Sequence, residues 1–188
     1  MQVLTFPTKS LKDPSEKIDV DAFQVEGFGD KLKSDLKNLI NEMHSLVGKH
    51  GALGLAAPQV GVNKRVIIVN TKGQSLNSSP NDFKYTCMIN PEIVEDTSGG
   101  GGTSQTFRRM EEGCLSFPKV FAWVSRPDKV KVKWFDICSM SYKENEFRDL
   151  EASIVQHELD HLDGILLPDR IGPLRSMFTQ KYFKANKK

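Results

Sequence analysis

The 188-residue chain is 38% hydrophobic and 27% charged, the composition of one ordinary globular domain able to bury a sizeable core. Its formal net charge of +2 is too small to argue for a nucleic-acid partner, and no basic stretch is interleaved with aromatics. No apolar run approaches the roughly 18 residues of a membrane span. Met1 to Ser10 lacks the apolar core of a secretory signal, so no targeting segment is visible. Three cysteines, Cys87, Cys114 and Cys138, do not suit a disulfide framework, so a reducing compartment is expected.

In chain order, Met1 to Pro7 has strand-forming residues, and Asp13-Pro14-Ser15 reads as a turn. From Asp30 to about Val47, Leu32, Leu36, Leu39, Ile40, Met43, Leu46 and Val47 recur at helical spacing. This predicts an amphipathic helix ending near Gly48 to Gly51. A small-residue stretch, Gly51 to Gly61, follows. Arg65 to Asn70 reads as a buried strand, Thr71 to Asp82 as a loop, and Tyr85 to Ile89 as a strand, with Asn90-Pro91 and Ile93-Val94 after it.

The glycine-rich segment at about 96–108 is expected to be a flexible loop. Val130, Val132 and Trp134 alternate with Lys131 and Lys133, predicting a half-exposed strand from Lys129, with Cys138 to Asn145 as a hairpin turn. A second helix is predicted from about Asp149 to Leu162, stopped by Asp163-Gly164, with a short helix or tail at about 174–188. The expected fold class is α+β, short antiparallel strands around a central metal-binding helix. The whole chain, 1–188, is read as a single catalytic domain.

The chemistry concentrates in Gln156-His157-Glu158-Leu159-Asp160-His161. Two histidines four apart on a helix lie nearly above one another and can reach one metal ion. Glu158, between them, is placed to take a proton from a water at that metal. Leu150, Ile154, His157 and His161 form one helical stripe, so the histidines continue the core-facing side. Two such histidines without a metal would be costly to bury.

Two histidines leave a tetrahedral site one protein ligand short. Downstream of His161 there is no histidine or glutamate, only Asp163 and Asp169. Upstream, Cys114 follows a glycine and can complete a Cys-His-His set with one position open. Read alone, Cys114 is a buried structural cysteine, as Cys87 and Cys138 are taken to be.

Three segments together resemble the peptide deformylase family: Gly54-Leu55-Ala56-Ala57-Pro58-Gln59, Glu112-Gly113-Cys114-Leu115-Ser116, and Gln156 to His161. Their order and spacing also match, and with Ile89 to Ile93 the likeness runs from about Leu4 to Pro173. The resemblance implies removal of the formyl group from formyl-methionyl nascent peptides. It implies a metal held by Cys114, His157 and His161, typically Fe2+ and replaceable by Zn2+, Ni2+ or Co2+. It makes Glu158 the general base, and gives the Gln59 amide and the Leu115 N–H the oxyanion.

Gly54 would let substrate backbone pass close. Leu150 and Ile154, on the metal-binding stripe, would flank the methionine side chain, with Leu53 and Glu112 beside them. Arg126 and Asp160 would be a structural pair near the site. The partners implied are nascent peptides, with the ribosome near its exit tunnel, and neither nucleic acid nor membrane directly. The compartment implied is a bacterial cytoplasm, or a plastid or mitochondrial interior.

The chain departs from the family at Ala52, where glycine is common, and near Phe121, where a basic residue is common. The segments 71–85 and 96–110 look extended. Two rivals stand beside this reading. A zinc endopeptidase would draw its third ligand from downstream, and a metal-stabilised binding module would have no use for Glu158.

Overall fold

The computed structural model describes residues 1–71, 84–94 and 106–172. The expected tail at 174–188 and most of the expected glycine-rich loop and extensions lie outside them.

The first helix, α1, spans Phe28–His50 and ends at Gly51, whose φ of 59° is the left-handed conformation that closes a helix at low cost in glycine. The predicted stripe is the buried one: Leu36, Leu39, Ile40, Met43, Leu46 and Val47. They pack on one face of a five-stranded antiparallel sheet, against Leu55, Val66, Ile68, Ile89 and Phe135. That sheet has the order β1 (Gly54–Ala56), β2 (Val66–Asn70), β3 (Tyr85–Val94), β6 (Lys129–Asp136) and β7 (Ser141–Arg148). Its other face, with Ala56, Ile67, Val69, Met88, Val132, Trp134 and Phe147, receives the second helix, α2 (Asp149–Leu162). All five residues of β2 are buried, because both faces of this strand are covered.

A separate two-stranded antiparallel sheet, β4 (Phe107–Cys114) and β5 (Phe117–Pro127), lies in sequence between β3 and β6. Its inward side chains, Phe117, Ala122 and Val124, share a third core cluster with Leu11, Leu166 and Leu167. On the hairpin side α2 meets β5 through Gln156, whose Nε2 donates to the Pro127 carbonyl at 2.9 Å. Helix α2 is thus covered on both sides: Ala152 to Gln156 and Glu158 to Leu162 are buried. The fold is α+β, with antiparallel strands around this helix.

Several expectations need correction. Residues 107 and 108, assigned to the glycine-rich loop, are already strand. Tyr85 to Val94 is one strand with a register shift between Ile89 and Glu92, not a strand with separate fragments. Cys138 to Asn145 is not all turn. The turn ends before Ser141, and β7 follows as an edge strand whose exposed polar run hides it, Phe147 alone turning inward. Met1 to Pro7 forms no strand, since its neighbours are a helical turn and a hairpin turn rather than strands. The Leu4 N–H donates to the Gln59 carbonyl at 2.7 Å, and the Phe6 N–H to the Ser116 carbonyl at 2.9 Å.

Candidate metal and catalytic centre

Three elements converge. The helical turn Ala57–Val60 after β1 carries Gln59. The end of β4, after a register shift between Gly113 and Cys114, carries Cys114, with Leu115 and Ser116 in the tight turn to β5. Successive turns of α2 carry His157 and His161. One ligand atom from each of Cys114, His157 and His161 lies within 4.8 Å of the others. Cys114 Sγ is 3.2 Å from His161 Nε2. Among the described residues this is the one such cluster of metal-ligating side chains.

The donors fit a divalent cation. His157 Nδ1 is 2.9 Å from Glu112 Oε2, so this nitrogen donates to the carboxylate and Nε2 is left as the ligand atom. Burial opposes charge on both Cys114 and His157. Even so, the two histidines hold the thiol well below its ordinary range, and Cys114 and Glu112 hold His157 well above its own. A thiolate among imidazoles is the donor set that a soft-to-borderline divalent ion takes. His161 Nδ1 is buried without a hydrogen-bond partner.

Glu112 was expected on the wall of the substrate pocket. In the structure its carboxylate bonds Arg126 Nε at 2.6 Å, Arg126 Nη2 at 3.0 Å, and His157. Burial alone would raise this acid, but those hydrogen bonds bring it down to about 2. Arg126 is 4% exposed and also bonds Asp160 through Nη1 at 2.8 Å, so the two are paired, and the network continues through Glu112 to His157. Arg170 completes the network on Asp160. Sequence reading did not name Arg170, because nothing in its spacing from α2 marks it.

Glu158 is 4% exposed and its Oε2 has no hydrogen-bond partner. Burial pushes its carboxyl up to about 7 against the pull of the histidines, the range suited to moving protons near neutrality. Beside it, Gly54 is needed for a reason that was not expected. A Cβ there would lie 2.5 Å from Glu158 Oε1, so the glycine makes room for the carboxylate itself. Gln59 is 2% exposed, and its Nε2 is 3.1 Å from Ser116 Oγ and 3.5 Å from Cys114 Sγ. Leu53, Leu150 and Ile154 meet in the cluster between α2 and the sheet. Met110, which was not anticipated, reaches α2, its sulfur accepting from Ser153 Oγ at 3.4 Å.

The downstream aspartates are engaged elsewhere. Asp163 pairs with Arg65 at 2.7 Å, and Asp169 accepts from the Leu166 N–H at 2.9 Å. The endopeptidase reading thereby loses its third ligand.

A family model described as polypeptide deformylase matches residues 1–177. A peptide deformylase of Thermodesulfovibrio yellowstonii is 36% identical over 187 residues, covering 100% of this chain and 98% of that protein. The crystal structure of a peptide deformylase from Ehrlichia chaffeensis superposes with a TM-score of 0.77 at 26% identity, covering 100% of this chain and 97% of the other. A Met-Ala-Ser-bound class I type b peptide deformylase from Acinetobacter baumannii gives 0.72 at 32% identity, covering 91% and 98%. With its order of motifs, its fold and the convergence of its three donors, the chain is an enzyme that belongs to the peptide deformylase family.

Proposed function

We propose that this chain acts as one metal-dependent catalytic domain that removes the formyl group from formyl-methionyl peptides, releasing formate and a free N-terminal amine. One observation carries the reading: a Cys-His-His donor set, buried at His161 and partly so at Cys114, beside a buried carboxyl whose Oε2 has no hydrogen-bond partner. Cys114, His157 and His161 would hold a divalent ion, Fe2+ natively by family likeness, with Zn2+, Ni2+ or Co2+ as replacements. Such an ion supplies Lewis-acid polarisation of the formyl carbonyl and acidifies the attacking water.

The rest of the work falls to side chains. Glu158 takes the proton of that water as it attacks the formyl carbon, and returns it to the peptide nitrogen as the C–N bond breaks. Its elevated pKa suits both roles. The Gln59 amide and the Leu115 N–H donate to the oxygen on which negative charge develops. Glu112, anchored by Arg126, holds His157 in the tautomer that presents Nε2. Leu53, Leu150 and Ile154 form the apolar wall for the methionine side chain. Gly54 serves the site by leaving space for Glu158.

The related enzyme crystallised with Met-Ala-Ser makes a peptide of that sequence the natural probe. Nascent chains leaving a ribosome are the physiological partners we expect, wherever translation starts with formyl-methionine: a bacterial cytoplasm, a plastid or a mitochondrion. No helix among the described residues is long and apolar enough to cross a membrane.

The test is formate release from formyl-Met-Ala-Ser under anaerobic conditions with ferrous or nickel ion, alongside Cys114→Ser. Metal-dependent release that is lost in the variant supports the reading. Metal bound without formate release would point to an inactive relative, and cleavage of an internal peptide bond would revive the endopeptidase.

A further inference from the structure

A carboxamide has one acceptor and two N–H donors, and only a fixed amide can present a donor to a developing charge. At Gln59 the oxygen end is tied down by the Ala56 N–H, which donates to Oε1 at 2.9 Å. One Nε2 hydrogen goes to Ser116 Oγ at 3.1 Å. The other Nε2 hydrogen is donated to Cys114 Sγ at 3.5 Å, on the side of the metal ligands, a longer bond than the one to Ser116. Ser116 is 0% exposed and Gln59 2%, so bulk water does not compete for the bond. Their backbones are braced by one segment, since Leu4 donates to the Gln59 carbonyl and Phe6 to that of Ser116.

We infer that Ser116 is a positioning residue for the oxyanion site, acting through Gln59. Its hydroxyl fixes the plane of the carboxamide, so the second Nε2–H, which rests on Cys114 Sγ in a long bond, stays on the metal-ligand side and has only to pass from sulfur to the formyl oxygen when negative charge appears there. Ser116 also directly follows Leu115, whose N–H is the other donor in the proposed function. The Gln59–Ser116 bond therefore sets the spacing between the two donors. This inference rests on the assignment of Gln59 as an oxyanion donor. It adds a residue that touches neither substrate nor metal.

The experiment is a double-mutant cycle on formyl-Met-Ala-Ser with Q59A, S116A and Q59A/S116A, measuring kcat and KM, with metal content and Tm determined for each. Removing an oxyanion donor outright costs roughly 10²–10³-fold in kcat, and loosening one should cost less, about tenfold. We expect S116A to lower kcat by about that factor with KM and metal content unchanged, and to have no further effect in the Q59A background. S116T, which keeps the hydroxyl, should recover most of kcat, and it tests the idea even if S116A folds poorly. Equal S116A factors in both backgrounds, or a loss confined to KM or metal content, would overturn the inference while leaving Gln59 in place. A folded, metal-replete S116T as slow as S116A would overturn it too. Full kcat in Q59A is a different pattern: it removes the assignment of Gln59 itself, and this inference with it.

Discussion

A Cβ placed on Gly54 would stand 2.5 Å from Glu158 Oε1 and 2.9 Å from its Cγ, so the bare backbone of β1 is what allows the buried carboxylate its position. Gly54→Ala should therefore act on catalysis through Glu158. A displacement of about 1 Å at a reacting group can cost roughly 10²-fold in rate, and a kcat loss of that order is expected, with metal content unchanged. Titrating the variant with metal while following turnover separates the two effects. Full kcat with raised KM would mean that the glycine serves the substrate instead.

Replacing Glu158 itself removes the proton carrier and no ligand. Glu158→Ala should bind metal stoichiometrically and lose about 10²–10⁴-fold in kcat, the usual worth of a positioned general base. Metal analysis beside steady-state kinetics checks this. Equal loss of metal and activity would count against the role given to Glu158.

Glu112→Gln should weaken metal binding about 10- to 100-fold, because the amide no longer holds His157 through a charge-assisted bond. The same variant carries a pH signature in the metal-free protein. An acid whose folded pKa lies below its unfolded value stabilises the fold above the unfolded value and loses that contribution as pH falls through the folded one. For Glu112 the window runs from 4.5 down to about 2. The Tm gap between wild type and Glu112→Gln should be flat above that window and shrink within it. A constant gap down to its lower limit would show that the charge of Glu112 does not contribute.

The three thiols should react differently. Cys138 is exposed on its turn, whereas burial, together with Cys138 and Asp136, pushes the Cys87 thiol up to about 12. Iodoacetamide at pH 8 should label Cys138, spare Cys87, and reach Cys114 only after the metal is stripped. Peptide mapping by mass spectrometry reads all three. Labelling of Cys87 in the folded protein would contradict the raised pKa of its thiol.

Both helices were legible because their apolar residues repeat at 3.6, and β2 and β6 because theirs are continuous or alternate. The strands β4 and β5 were not legible. In β4 the segment Phe107-Arg108-Arg109-Met110-Glu111-Glu112 shows no alternation, since the inward Glu112 is polar and the outward Phe107 is not. In β5 the outward Phe121 and Trp123 are exposed at 68% and 51%, which erases the contrast with buried Ala122 and Val124. At the site, His157 and His161 could be named by residue type and helical spacing, whereas Cys114, at the end of a strand, was a ligand only as the resemblance of its motif implied. The part of Glu112 could not, because it depends on Arg126 and His157, which the fold brings to it from other elements. The hydroxyl of Ser116 was hidden for the same reason.

Cys114 closes a two-stranded hairpin, while His157 and His161 sit on a helix that the other sheet also covers. An ion shared by these three is a cross-link between parts of the chain that belong to different sheets. Its departure would disarm the enzyme and also untie the tip of the hairpin. At a thousandfold excess over its dissociation constant, a ligand bound only by the folded form adds roughly 4 kcal/mol to stability. Loss of such an ion would then lower the stability of the folded chain as well as its activity.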